Sequence, residues 1–159
     1  MVVLASYAPL FARLGYTQWS PDMIWFDDNS SYGTPSYYVQ KLYSNNMGDY
    51  TLQSSLSKEN SKLYQTVSYD VENKELIIKL VNASEQDETV KLQFDGSFEF
   101  AAKIKITMLH SEELSACNSI ECPNKVEPME TEMDFSATEA FLLKKNTFVV
   151  IRLNCIMKH

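Results

Sequence analysis

The stretch Leu76-Ile77-Ile78-Lys79-Leu80-Val81 decides the fold class, because Leu76, Ile78 and Leu80 fall on one face of an extended chain. The same alternation recurs in other apolar stretches, at Val90–Phe94, Ile104–Met108 and, more continuously, Phe148–Leu153. Turn-forming residues separate these stretches, at Glu72-Asn73, Glu85-Gln86-Asp87, Asp95-Gly96 and Lys145-Asn146. Short alternating strands with such turns predict an antiparallel β-sandwich over residues 49–159.

Residues 1–48 have a different pattern. In Leu4–Leu14 the apolar residues recur at helical spacing, which predicts a helix that ends at Gly15. Met23–Phe26 is a continuous apolar run, typical of a strand that is covered on both faces in a parallel sheet. Thr34 and Pro35 suit the first positions of a second helix, which we predict over Thr34–Asn46. The helix-strand-helix order is that of an α/β fold.

Length and composition exclude several classes of protein. A complete (β/α)8 barrel takes about 250 residues, and this chain has 159. A net charge of −7 makes nucleic acid a poor partner. Apolar runs fall short of the ~20 residues that span a bilayer, so we expect no membrane insertion. Two histidines and three cysteines lack zinc-site spacing, so we expect no metal and no cofactor.

The cysteines and the N-terminus leave two points open. Cys117 and Cys122 are close in sequence and could pair in an oxidising compartment, although free thiols are the simpler reading. The first residues, from Met1, have no basic region and no clear cleavage site. Both a cytoplasmic and a secreted location therefore remain open.

Three motifs in order carry a family resemblance. They are Ala5-Ser6-Tyr7-Ala8-Pro9-Leu10-Phe11, Trp19-Ser20-Pro21-Asp22-Met23-Ile24-Trp25-Phe26-Asp27 and Tyr32-Gly33-Thr34-Pro35-Ser36-Tyr37-Tyr38-Val39-Gln40-Lys41-Leu42. With the later stretch Ala116–Pro128, they resemble the C-terminal part of α-L-arabinofuranosidases of glycoside hydrolase family 51. The resemblance implies a retaining hydrolase that removes terminal arabinofuranose from plant polysaccharides or oligosaccharides. It also implies a (β/α)8 barrel followed by a jelly-roll-like β-sandwich.

On this resemblance, residues 1–48 are the last helix-strand-helix part of the catalytic barrel and residues 49–159 are the sandwich domain. The family's acid/base and nucleophile are both glutamates on earlier barrel strands, so we expect both to lie upstream of Met1. We therefore expect no catalytic residue here and no activity from this chain alone. An arabinose-containing oligosaccharide or polysaccharide is the expected partner of the longer enzyme.

Four residues near Met23–Phe26 are candidates for a site. Asp27 and Asp28 follow the predicted strand, but neighbouring residues of a strand point to opposite faces and make a poor carboxylate pair. The resemblance places Trp19 and Asp22 near the sugar pocket. There Trp19 would stack on a sugar ring and Asp22 would accept a sugar hydroxyl. Packing of Trp19 and local turn bonding of Asp22 are the alternative readings.

Two other roles compete with that of an enzyme fragment. A stand-alone carbohydrate-binding sandwich would need an exposed aromatic platform, whereas most aromatic residues of 49–159 fit alternating core positions. A structural role would have the sandwich brace the barrel or a neighbouring subunit, and a homo-oligomer is possible. In either case the apolar Met23–Phe26 run must be covered. We expect residues 1–48 to pack on the sandwich, to self-associate or to be partly disordered.

Overall fold

A computed structural model describes residues 6–17, 20–57, 62–96, 98–136 and 138–157. In these ranges the chain is mainly β, as the alternation predicts. The elements in chain order are β1 Phe11–Arg13, β2 Ile24–Phe26, β3 Ser31–Gly33, α1 Pro35–Asn45, β4 Tyr50–Leu52, β5 Leu63–Asp70, β6 Glu75–Asn82, β7 Glu88–Lys91, β8 Phe98–His110, β9 Met129–Asp134, β10 Ala140–Leu143 and β11 Thr147–Met157.

A six-stranded sheet forms the centre of the molecule. Its strands follow the order β4-β5-β6-β11-β8-β9, and every neighbouring pair is antiparallel. The strands that the alternation predicts, β6, β8 and β11, lie next to one another in the middle of this sheet. β7 and β10 pair antiparallel in a second, smaller sheet. The predicted antiparallel sandwich is confirmed.

One face of the six-stranded sheet carries the larger core. Leu76, Ile78 and Leu80 of β6 point to this face together with Ile151 of β11, which is 0% exposed. Residues of the smaller sheet and its flanks cover the layer, and the phenylalanines Phe94, Phe98, Phe100 and Phe135 pack against one another there. Removal of this apolar surface from water is the main source of stability in such a fold.

The opposite face of the same sheet is covered by α1 and by a loop. Ile77, Phe148 and Val150 are buried against Leu42 of α1 and Val126 of the loop between β8 and β9. The ring of Tyr43 stacks on that of Phe148 at 4.9 Å between centroids. The helix is therefore a third layer, packed on the sheet.

Helix α1 begins and ends where the sequence predicts. The Thr34 hydroxyl accepts a hydrogen bond from the Tyr37 amide at 3.4 Å, and Pro35 occupies the first turn. The helix ends at Asn45, and the Asn46 side chain donates to the Leu42 carbonyl at 2.9 Å.

The predicted helix over Leu4–Leu14 is wrong in its described part, since Phe11–Arg13 form strand β1. Pro9 explains the error, because proline has no N–H and clashes with the preceding turn inside a helix. β1 pairs parallel with β2, which confirms a strand in Met23–Phe26, and β2 pairs antiparallel with β3. In the described chain the order before β4 is thus three strands and a helix. Residues 1–5 lie outside the described ranges.

The sequence patterns place some sandwich strands imperfectly. The Val90–Phe94 alternation extends past its strand, because β7 ends at Lys91. β4, β5, β9 and β10 were not predicted. In β9, Met129 and Met133 alternate with acidic residues, but all six residues are exposed and the apolar signal of this edge strand is weak.

Candidate functional site

The chemistry-bearing residues of this chain gather where residues 6–17 and 20–48, here called the N-terminal segment, meet the six-stranded sheet. Asn118, in the loop between β8 and β9, lies at this junction and is 3% exposed. Its side-chain Nδ2 donates to the Gly33 carbonyl at 2.8 Å and to the Val126 carbonyl at 3.0 Å. Its Oδ1 accepts from the Val126 amide at 2.7 Å. One side chain therefore joins β3 to the core of the sandwich.

Lys79 holds the other end of α1. It is buried on the helix-covered face of β6, and its Nζ donates to the Asn46 carbonyl at the helix C-terminus. The ammonium also lies 5.3 Å from the centre of the Tyr43 ring. Burial, followed by the nearby Arg152 charge, lowers the pKa of Lys79. A cation at the carbonyl end of a helix is favourable, so this contact fixes α1 on the sheet.

Arg152 extends this anchor toward the sheet edge. Its Nε donates to Glu75 at 2.6 Å, and its two terminal nitrogens donate to Asn46 and Asp70, each at 3.1 Å. Hydrogen bonds from Asn73, with a further contribution from Arg152, lower the pKa of Asp70. Neither Lys79 nor Arg152 was a predicted site residue, although a lysine inside the apolar run Leu76–Val81 is a signal of a buried charge.

Asp22 is the one predicted sugar contact that the structure describes, and it is buried with only 1% of its surface exposed. The Thr17 hydroxyl donates to its carboxylate at 3.4 Å. The next residue, Met23, accepts two hydrogen bonds on its carbonyl, from the Thr34 amide at 3.0 Å and the Thr34 hydroxyl at 2.9 Å. Trp19 lies outside the described residues. A role in sugar binding for Trp19 and Asp22 stays a prediction.

Asp27 and Asp28 serve the loop that joins β2 to β3. Asp27 accepts hydrogen bonds from the backbone amides of Asn29 at 2.8 Å and Ser30 at 2.7 Å, which lower its pKa. Asp28 pairs with Arg13 at the surface. The two carboxylates thus have separate structural partners and do not form a catalytic pair.

A group of large apolar side chains is exposed on and around β1. This β1 patch consists of Leu10, Phe11, which is 60% exposed, and Tyr16, which is 78% exposed. β2 pairs with one edge of β1, and the other edge has no strand partner within the described ranges. An open edge strand beside exposed apolar side chains is typical of a surface that another part of a protein covers.

The sandwich offers little for sugar binding by itself. A cleft between its sheets, lined by Ile104, Phe135 and Phe141, has a volume of about 60 Å³, well below the ~300 Å³ at which ligand pockets begin. Tyr50 and Tyr64 are more than half exposed. The two rings point to opposite faces of the sheet. Tyr50 shares a face with its cross-strand partner Tyr69, and Tyr64 lies an odd number of residues before Tyr69 on β5, so it faces the other way. Neither feature is an aromatic platform.

The thiols and possible metal ligands add no site. Cys117 and Cys122 are exposed free thiols, and Cys155 is a buried free thiol whose pKa is raised by burial. Within the described residues, histidine, cysteine and carboxylate side chains form no group of three that could hold a metal ion. No helix in that part of the chain is long and apolar enough to cross a bilayer.

Comparison with known proteins identifies relatives over nearly the whole chain. The family model of the α-L-arabinofuranosidase C-terminal domain matches residues 1–146. α-L-Arabinofuranosidase 2 of Arabidopsis thaliana is 32% identical over 152 residues, which are 93% of this chain and 23% of that protein. An extracellular exo-α-L-arabinofuranosidase of Streptomyces chartreusis is 53% identical over 49 residues, which are 31% of this chain and 6% of that protein.

Solved structures agree with the sequence relatives. An arabinose-bound α-L-arabinofuranosidase of glycoside hydrolase family 51 matches 95% of this chain with a TM-score of 0.80 and 26% identity, over 24% of its own length. The family 51 enzyme of Thermotoga petrophila shares the fold, with a TM-score of 0.70 and 18% identity over 82% of this chain and 31% of its own. The chain thus spans about a quarter of the length of the Arabidopsis relative and of the arabinose-bound structure. Because the family model covers most of its length, the chain belongs to the α-L-arabinofuranosidase C-terminal domain family.

Proposed function

We propose that this chain works as the C-terminal part of a longer α-L-arabinofuranosidase, in which residues 1–48 complete the catalytic barrel and residues 49–159 brace it. The β1 patch supports this proposal most directly. Phe11 and Tyr16 are exposed beside a parallel strand pair whose outer edge is open, while the other side of the N-terminal segment is packed on the sandwich. A preceding barrel strand would pair with that edge and cover those side chains.

The proposed reaction is the retaining hydrolysis of terminal α-L-arabinofuranosyl residues from arabinose-containing plant glycans. The names of the Arabidopsis and Streptomyces relatives support this activity, and a family 51 structure contains bound arabinose. Such hydrolysis needs two carboxyl groups about 5–5.5 Å apart. Asp27 and Asp28 are engaged by separate partners, the amides of the following loop and Arg13 of β1. The preceding barrel strands would therefore supply both groups, and this chain alone would be inactive.

In this proposal Trp19 and Asp22 form part of the wall of the arabinose pocket. A buried carboxylate is costly unless hydrogen bonds satisfy it, and the Thr17 hydroxyl donates to Asp22 at 3.4 Å. A sugar hydroxyl would add a further donor to the same carboxylate. Because Asp22 is buried here, neighbouring side chains would have to move aside for the sugar to reach it.

The test compares two polypeptides on 4-nitrophenyl α-L-arabinofuranoside. One is the 159-residue chain, and the other is the longer enzyme that contains this sequence. The proposal predicts turnover by the longer enzyme and none above background by the chain. Turnover that co-purifies with the chain alone, through a further ion-exchange step, would contradict it.

A further inference from the structure

A series of hydrogen bonds, linked by short pieces of backbone, connects the sandwich to the backbone beside Asp22. The series starts at Val126, which is buried in the core between the sheet and α1. Val126 bonds to the side chain of Asn118 through both its amide and its carbonyl. Asn118 then donates to the Gly33 carbonyl at 2.8 Å. The sandwich loop is in this way tied to the last residue of β3.

The series continues within the N-terminal segment. Gly33 is followed by Thr34, whose amide and hydroxyl both donate to the Met23 carbonyl, at 3.0 and 2.9 Å. Met23 is the residue next to Asp22. Gly33 lies close to the Tyr37 ring, since a Cβ at this position would be 2.3 Å from it. The contacts are thus tight at each step from Asn118 to the backbone beside Asp22.

We propose that Asn118 is a positioning residue, which holds the Asp22–Met23 segment in place from the sandwich side. This rests on the proposed function, because the segment matters for catalysis only if Asp22 contacts the sugar. Asn118 suits the role because its amide group uses both donor hydrogens and its oxygen in the bonds above, and because it is buried. Loss of a side-chain donor to a partly buried carbonyl destabilises the local structure.

Hydrogen exchange on the purified chain tests the positioning role and does not require the chain to be enzymatically active. The reporters are the amides of Ile24, which donates to the Leu10 carbonyl, and Thr34, which donates to Met23. We expect Asn118→Ala to accelerate exchange at both amides by about tenfold. The amides of β6 and β11 should change much less.

Asn82→Ala is the matched control. Asn82 is also fully buried, and its Nδ2 also donates to two backbone carbonyls, those of Gln86 and Leu143, while its Oδ1 accepts from Ser84. Those bonds lie within the sandwich. This variant should accelerate exchange near Asn82 and leave Ile24 and Thr34 at the wild-type rate.

A second variant covers the case in which Asn118→Ala does not fold. Thr34→Val removes the hydroxyl bond to Met23 and the cap on the Tyr37 amide, and it should accelerate exchange at the same Ile24 amide. If folded Asn118→Ala leaves the reporters at the wild-type rate, or accelerates them no more than Asn82→Ala does, the positioning role is wrong. It is also wrong if Asn118→Ala does not fold and Thr34→Val leaves the Ile24 amide at the wild-type rate.

In the longer enzyme, kcat/KM for 4-nitrophenyl α-L-arabinofuranoside should fall about tenfold in Asn118→Ala. Asn82→Ala should keep the wild-type value at a temperature where both variants are folded. An equal fall in both variants would show that Asn118 affects stability alone. A longer enzyme that is inactive in its wild-type form would refute the proposed function and leave the exchange result standing.

Discussion

The N-terminal segment and the sandwich differ in how they are stabilised. In the sandwich, neighbouring strands bury a continuous aliphatic core that includes Leu76, Ile151 and Leu153. In the N-terminal segment few large apolar side chains are buried, while Phe11 and Tyr16 are exposed. Polar contacts from Asn118, Lys79 and Arg152 tie it to the sheet. We therefore propose that the sandwich is an independent folding unit, and that the N-terminal segment is a dependent extension whose outer side suits a further partner.

The largest expected effect is in the sandwich core. Ile151→Ala should lower the free energy of unfolding by about 2–5 kcal/mol, because it leaves a cavity in the middle of β11. Leu142→Ala on β10, where the side chain is more than half exposed, is the control and should cost under ~1 kcal/mol. Urea unfolding measures both, and equal losses would show that the aliphatic core does not dominate.

The two arginine clusters give the next comparison. Arg152→Met removes hydrogen bonds to Glu75, Asp70 and Asn46 and should cost about 2 kcal/mol. Arg13→Met removes the exposed pair with Asp28 and should cost under ~1 kcal/mol. Urea midpoints in low and high salt measure both variants. If Arg13→Met lowered the free energy of unfolding more than Arg152→Met does, the exposed pair would matter more than the partly buried one, and the account would be wrong on this point.

Acid should weaken both regions through different carboxylates. The pKa values of Asp70 and Asp27 lie below their ordinary value of 3.8 in the folded chain. Their contributions are therefore present above pH 3.8 and are lost as the pH falls through the lowered values. Between pH 7 and 3, Asp70→Asn should reduce the drop in the global urea midpoint. Asp27→Asn should instead reduce the acid-induced rise in exchange at the amide of Ile24.

The acid prediction fails if Asp70→Asn unfolds with the same pH dependence as the wild type. It also fails if Asp27→Asn changes the global midpoint as much as Asp70→Asn does. The second result would mean that the N-terminal segment unfolds together with the sandwich.

The smallest expected effect on stability is at the β1 patch. Phe11→Ser should change the free energy of unfolding by less than ~0.5 kcal/mol, because the side chain is mostly exposed. It should, however, reduce self-association of the chain in sedimentation velocity at high concentration. Ser20→Ala is a polar surface control. Self-association that is unchanged by Phe11→Ser would show that the β1 patch is not the contact surface.

Sequence patterns predicted the parts of the fold in which the local preference for helix or strand agrees with the pattern of buried residues. β6, β8 and β11 show the alternation because one face of each contributes to the larger core, and α1 follows its Thr34-Pro35 start. β1 was mistaken for a helix because three- and four-residue apolar spacing outweighed Pro9 in the prediction. β9 was missed because Met129 and Met133 are its only large apolar residues and all six residues are exposed at the sheet edge.

The candidate site was predictable only in part. The family motif pointed to Asp22, and the structure shows it buried beside Met23. The residues that fix the segment, Asn118, Lys79 and Arg152, lie far from it in sequence. Lys79 and Arg152 act because their strand faces lie under α1, and Asn118 acts because its loop lies against β3. Tertiary packing alone brings these parts together.

Native-state hydrogen exchange in increasing urea tests the contrast between the two regions most directly. In the unmodified chain, we expect the amides of Ile24 and Thr34 to exchange through an opening that costs less free energy and depends less on urea than that of β6 and β11. One shared opening free energy and one shared urea dependence for both regions would contradict the account. The N-terminal segment would then belong to the same folding unit as the sandwich.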